Sequence, residues 1–185
     1  MIAGTAKGTR LGPVPSGTRP VSDRAREGLF SSLGPGVRHA RVLDLCAGTG
    51  ALGIEALSRG ADRAVFVDRA RPGVEAIRRN LLLTGLADQA SVYRSDVLPF
   101  LRRGNAEGSA FGLVFLDPPY EVEGPEIEDA LQELASGWLQ APGWTVVVTR
   151  ASGSSTPVVP LHWLAARRLI YGDSLLIVYQ EDPWA

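Results

Sequence analysis

A short apolar run, Arg41-Val42-Leu43-Asp44-Leu45, leads within three residues into Gly48-Thr49-Gly50-Ala51-Leu52-Gly53, and a helical pattern starts inside the glycine string. A chain that leaves a buried strand, turns on glycines and enters a helix at once is committed to a βαβ unit, because its next strand must return parallel to the first. The alternation then continues. Ala51 to Arg59 reads as a helix closed by Gly60, Arg63 to Val67 as a strand, and Arg71 to Thr84 as a helix closed by Gly85. Ser91 to Arg94 predicts a third strand, Val97 to Arg103 a short helix and Phe111 to Leu116 a fourth strand. Pro125 to Gly137 predicts a helix, with proline in its first turn, and Thr145 to Thr149 a fifth strand. The expected fold class is therefore α/β: a Rossmann-like, mainly parallel sheet with right-handed crossovers and helices on both faces. Leu164 to Tyr171 and Ser174 to Gln180 flank Gly172-Asp173, a hairpin signal that should end the sheet in a C-terminal antiparallel pair.

At 185 residues the chain suits one domain with a small appendage. No apolar run approaches the roughly 20 residues that span a bilayer, so no membrane partner is expected. Cys46 is the one cysteine, which excludes an intrachain disulfide and fits a reducing cytoplasm. We read it as a small packing residue beside the glycine loop. Charge is uneven: residues 1–41 carry seven basic side chains against two acidic ones, and the rest twelve against eighteen. The opening, rich in Gly, Thr, Pro and basic residues, is expected as an N-terminal basic extension over 1–18 that can form a β-hairpin for RNA contact; Lys7 and Arg10 within it, and Arg19 and Arg24 just after it, are the expected phosphate contacts. Residues 19–185 then form the main domain, opened by a helix that Ser22 caps and that repeats Ala25, Leu29 and Leu33 before Gly34-Pro35-Gly36.

The glycine string matches G-x-G-x-x-G, and Asp68 stands at the end of the second strand, where it could hold ribose hydroxyls; a nicotinamide or flavin cofactor meets the same conditions. Asp44 argues the other way. A carboxylate four residues before Gly48 would repel a pyrophosphate, yet it can receive the ammonium of a methionine moiety. Asp96, after the third strand, can accept a hydrogen bond from an adenine amino group. The candidate cofactor residues are thus Asp44, Ala47, Gly48, Thr49, Gly50, Asp68, Arg69, Asp96 and Val97, and the favoured cofactor is S-adenosylmethionine.

The fourth strand runs into Asp117-Pro118-Pro119-Tyr120, the candidate catalytic segment. An exocyclic base amine is a poor nucleophile because its lone pair is delocalised into the ring. Asp117 and the Pro118 carbonyl can accept its two N–H bonds, the prolines remove competing donors, and Tyr120 offers a stacking face. No metal is required. The tetrapeptide alone leaves the amine open: guanine, adenine N6, cytosine or a glutamine amide would all serve.

Arg19-Pro20-Val21-Ser22-Asp23-Arg24-Ala25-Arg26-Glu27-Gly28-Leu29-Phe30 resembles the R-P-T-[TS]-D-R-x-R-E-x-L-F signature of the bacterial small-subunit ribosomal RNA guanine-N2 methyltransferases, the RsmD group. Ile2-Ala3-Gly4 and Lys7 to Leu11 are similar to that family's opening, and Asp44 to Gly53 and Asp117 to Tyr120 to its cofactor and catalytic segments. The resemblance implies a class I methyltransferase fold, with S-adenosylhomocysteine as product. It also implies N2-methylation of one guanine in 16S-type ribosomal RNA, with a small subunit or assembly intermediate as partner. We expect a cytoplasmic monomer. Val21 departs from the family's threonine, Met1 replaces an arginine, and Glu121 and Glu123 are acidic where an RNA-facing loop would favour basic residues.

Overall fold

In the computed structural model, residues 1–13, 21–105 and 110–182 are described. They form a seven-stranded sheet in the order β3-β2-β1-β4-β5-β7-β6. The strands are β1 (Arg41–Leu45), β2 (Arg63–Asp68), β3 (Ala90–Arg94), β4 (Leu113–Leu116), β5 (Thr145–Ala151), β6 (Trp163–Tyr171) and β7 (Ser174–Glu181). β1 to β5 pair in parallel, while β7 runs antiparallel to both β5 and β6. The helices are α1 (Asp23–Leu33), α2 (Ala51–Ser58), α3 (Arg71–Thr84), α4 (Val97–Arg102) and α5 (Gly124–Ala135).

Alternation along the central strands sorts side chains into two cores. Val42, Leu113, Phe115 and Val147 face α1, α2 and α3, where Leu29, Phe30, Ile54 and Ile77 meet them. Leu43, Leu45, Val114, Leu116, Val146 and Val148 face α4 and α5, with Leu101, Leu131 and Trp138. Strands covered on both faces read as continuous apolar runs, which is why β1 and β4 were legible. Local signals set the helix ends: Ser22 Oγ accepts from Ala25 N at 3.2 Å, and Gly85 closes α3 at φ 70°.

The carboxyl-terminal hairpin forms, but its last strand is not at the edge. β7 is inserted between β5 and β6 because Leu175 to Tyr179 are all buried, whereas β6 exposes Leu164, Arg168 and Ile170. The strand apolar on both faces takes the interior position, and the mixed strand takes the edge. β4 is shorter than expected; Phe111 makes only an isolated parallel bridge to Leu139.

The opening segment corrects the hairpin expectation as far as it is described. Residues 1–13 hold turns and no strand. Three of their backbone donors go to side chains of α2: Ile2 N and Ala3 N to the two oxygens of Glu55, at 2.9 and 3.0 Å, and Ala6 N to Ser58 Oγ at 3.0 Å. Residues 14–18 of that expectation, and Arg19, lie outside the described residues. Among the described residues no helix is long and apolar enough to cross a membrane.

Glu55 is fully buried and also accepts from Arg59 Nε at 2.8 Å, so it holds three donors at once. Removing a buried carboxylate with three charge-assisted partners strands those donors. Glu55→Ala should lower the free energy of unfolding by about 2–4 kcal/mol in urea titrations; a loss below about 0.5 kcal/mol would show that the segment is only loosely seated.

Candidate active site

β1 lies between β2 and β4, so the crossovers leaving the sheet diverge there, at the point where open α/β sheets bind ligands. Leu45 pairs with Leu116, which puts Cys46 and Asp117 side by side at the carboxyl ends. A cavity of about 400 Å³ opens at this point.

Its floor is the glycine loop. Cys46, Gly48 and Gly50 all take positive φ, at 58°, 58° and 76°, and α2 begins directly after Gly50. Gly53 has a different purpose: a Cβ there would lie 2.4 Å from Phe66 Cε1, so its absence lets α2 approach the sheet and donate Gly53 N to Asp44 Oδ2 at 2.9 Å. Asp68 pins the loop from β2, accepting Gly48 N at 2.7 Å and Ala70 N at 2.8 Å.

Asp44 is 1% exposed, and its Oδ1 has no hydrogen-bond partner. Burial holds its carboxyl well above the usual range, opposed by the Gly53 N–H and reinforced by the charges of Asp117 and Asp68. Burial likewise raises Asp117, to about 7 from 3.8. The Thr149 hydroxyl beside it offsets part of that rise, although Thr149 Oγ1 is not in hydrogen-bond geometry with any group. Cys46 stays a thiol, because burial and the three neighbouring carboxylates all oppose ionisation.

Of the residues expected to bind cofactor, Asp44, Ala47, Gly48, Thr49, Asp68, Arg69, Asp96 and Val97 line the cavity, together with Asp117, Pro118, Pro119 and Tyr120. Gly50 does not; a Cβ there would press on Ile54 and Phe66, so this glycine serves the turn and the packing behind it. Asp68 spends a lone pair of each oxygen on backbone N–H groups, which makes it a loop anchor. Lys7, Arg10 and Arg24 are exposed and stand outside the cavity.

Sequence reasoning missed the groups that hold the candidate catalytic segment. Asp117 N donates to the Leu45 carbonyl at 3.2 Å, Arg150 Nη1 to the Val122 carbonyl at 2.8 Å, and the Tyr120 hydroxyl hydrogen-bonds Ser174 Oγ at 2.9 Å. Thr149 ends the predicted fifth strand and Arg150 follows it, so both could have been found by the rule that ligands gather at strand carboxyl ends. Ser174 carried no such signal. Val21, where the family signature has threonine, is buried and lines the cavity.

Six carboxyl side chains and one guanidinium line the cavity. That lining disfavours a pyrophosphate and suits a cation, and the unpartnered Asp44 oxygen suits an ammonium. Among the described residues no group of His, Cys, Asp and Glu is arranged to hold a metal ion.

The raised Asp117 sets a sign for stability. A carboxyl that keeps its proton longer when folded contributes most below pH 3.8, and the contribution is lost as pH rises toward 7. Asp117→Asn, neutral throughout, should therefore exceed the parent in stability at pH 8 by about 2 kcal/mol, allowing for partial solvent access. In urea unfolding the gap should narrow toward pH 4; a gap independent of pH would refute the buried charge.

A model of the family described as Conserved hypothetical protein 95 matches residues 1–180. The Ribosomal RNA small subunit methyltransferase D of Escherichia coli (strain K12) is 35% identical over 185 residues, covering 98% of this chain and 89% of that one. The solved structure of the yhhF protein of Escherichia coli matches with a TM-score of 0.84 at 34% identity, covering 98% and 97% of the two chains. A more distant solved protein, complexed with S-adenosylhomocysteine, shares the fold alone, with a TM-score of 0.69 at 12% identity over 84% of this chain and 48% of that one. Coverage of this extent, together with the amino-terminal signature, places the chain in the Conserved hypothetical protein 95 family and in its RsmD group.

Proposed function

We propose that the protein is an S-adenosylmethionine-dependent methyltransferase that modifies the N2 amine of a guanine in small-subunit ribosomal RNA. The observation that carries the reading is one acidic cavity in which an unpartnered, buried Asp44 oxygen meets the Asp117 to Tyr120 segment. The cavity volume lies in the ordinary range for small-ligand sites, about 300–1,000 Å³.

Asp44 Oδ1 takes the ammonium of the methionine moiety, Asp68 the ribose, and Asp96 the adenine amino group, with Ala47, Gly48, Thr49, Arg69 and Val97 forming the surrounding wall. When bound, the cofactor supplies an electrophilic methyl on a sulfonium and leaves as S-adenosylhomocysteine. Asp117 and the Pro118 carbonyl accept the amine's N–H bonds, which holds the nitrogen and turns its lone pair out of the ring. Asp117 does this best as a carboxylate. The Tyr120 ring, fixed at its hydroxyl end by Ser174, gives the extruded base a stacking surface worth about 1–3 kcal/mol. Lys7, Arg10 and Arg24 are exposed cations that fit phosphate contacts outside the cavity. Arg19 completes that set in sequence.

Guanine is favoured by the acidic residues that follow Tyr120. Its Watson–Crick edge carries two adjacent donors, N1–H and N2–H, whereas the adenine amine sits beside an acceptor nitrogen. Glu121 and Glu126 line the cavity with Asp117, so a carboxylate is available for N1–H next to the acceptors for N2. Small-subunit ribosomal RNA as the target follows the name of the Escherichia coli relative.

Small subunits lacking the modification, incubated with the protein and methyl-labelled S-adenosylmethionine and digested to nucleosides, should yield N2-methylguanosine by mass spectrometry. Label on another base, or none on RNA, would overturn the assignment. Asp117→Ala should cut kcat by about 100-fold or more while cofactor affinity changes by less than about threefold. In the parent, kcat/KM for the cofactor should rise with pH through about 7, where Asp117 ionises, and this step should vanish in the variant.

A further inference from the structure

Asn80 stands on α3, 1% exposed, between two backbone segments far apart in sequence. Its Oδ1 accepts from Gly12 N at 2.8 Å, and its Nδ2 donates to the Thr49 carbonyl at 2.9 Å. One half of the amide therefore holds the opening segment and the other half holds the glycine loop. An amide has one acceptor end and one donor end, so a single orientation satisfies both partners. Thr49 is the residue between the two left-handed glycines, and it lines the cavity. Asp68 pins the loop at Gly48, and Asn80 pins it one residue later.

The opening segment is in turn clamped along α2, the helix that leaves the same loop. Thr5 N donates to the Ser58 carbonyl at 2.8 Å, and Ser58 Oγ to the Ala3 carbonyl at 2.6 Å. Gly4 passes so close that a Cβ would lie 1.6 Å from the Ser58 carbonyl oxygen, at a φ of +79°.

We propose that Asn80 is a positioning residue through which the seating of the opening segment sets the affinity of the glycine loop for cofactor. The proposal rests on the reading that the cavity holds S-adenosylmethionine. The basic segment is then no separable arm. Whatever moves it away from α2 releases Gly12 from Asn80, frees the amide to turn, and loosens the Thr49 carbonyl. By linkage, cofactor binding favours the seated segment to the same degree.

Titration calorimetry with S-adenosylhomocysteine on the full chain separates the possibilities. Asn80→Asp keeps the acceptor for Gly12 and removes the donor to Thr49; its Kd should rise by about tenfold, the worth of a lost buried hydrogen bond. Gly4→Ala disturbs only the seating on α2, away from the cavity, and should weaken binding by about threefold to tenfold. Combined with Asn80→Leu it should add nothing, because the linking amide is already gone. KM for the cofactor should rise in these variants while kcat at saturating cofactor stays within about twofold, a split that general destabilisation does not produce. Should Asn80→Asp fail to fold, Gly4→Ala carries the same reading. Affinities within twofold of the parent for the folded variants, or effects of Gly4→Ala and Asn80→Leu that multiply, would overturn the proposal. Absence of binding by the parent chain would instead remove the cofactor reading on which it stands.

Discussion

The carboxyl groups of Asp44, Asp68 and Asp117 converge at the ends of β1, β2 and β4, where each is close enough for their charges to act on Asp44. Desolvation pushes Asp44 and Asp117 toward their neutral forms, and the charges of Asp117 and Asp68 add to that effect at Asp44. The fold sustains this by giving backbone donors to two of the three: Gly53 N to Asp44, and Gly48 N with Ala70 N to Asp68. Gly53 N reaches Asp44 only because no Cβ holds α2 off the sheet, so that glycine answers a carboxylate as much as any ligand. One Asp44 oxygen is still left without a partner in a cavity whose charged side chains are mainly acidic. A cationic ligand relieves that strain and stabilises the folded state as it binds.

Much of this was legible in the sequence because the signals were local. α3 spans Arg71 to Thr84 as expected, since Pro72 in its first turn and Gly85 at its end mark both limits. Asp44, Asp68 and Asp117 could be placed at strand ends because β1, β2 and β4 read as apolar runs. The inserted β7 was not legible: a hairpin signal says that two strands pair and leaves open which of them touches β5. The lack of a strand among residues 1–13 has a similar cause. Backbone donors of this segment find Glu55 and Ser58, more than fifty residues away, and nothing in the first thirteen residues marks that partner.

The strand order has a chemical consequence. In a wholly parallel sheet every strand brings its carboxyl end to the ligand side. β7 runs the other way, so its first residue arrives there instead: Ser174 pairs with Ala151 at the end of β5. The turn before β7 thereby reaches the Tyr120 hydroxyl, while Arg150 on β5 reaches the Val122 carbonyl and Leu45 on β1 holds Asp117 N. The segment from Asp117 to Val122 is thus tied to three strands, two of them parallel and one antiparallel. Two prolines already restrict its backbone. Under the proposed function the rate comes from holding one nitrogen in line, and a misplacement of about 1 Å can cost 100-fold. The antiparallel insertion supplies one of the three ties, so the least predictable feature of the sheet is part of what holds the reacting geometry.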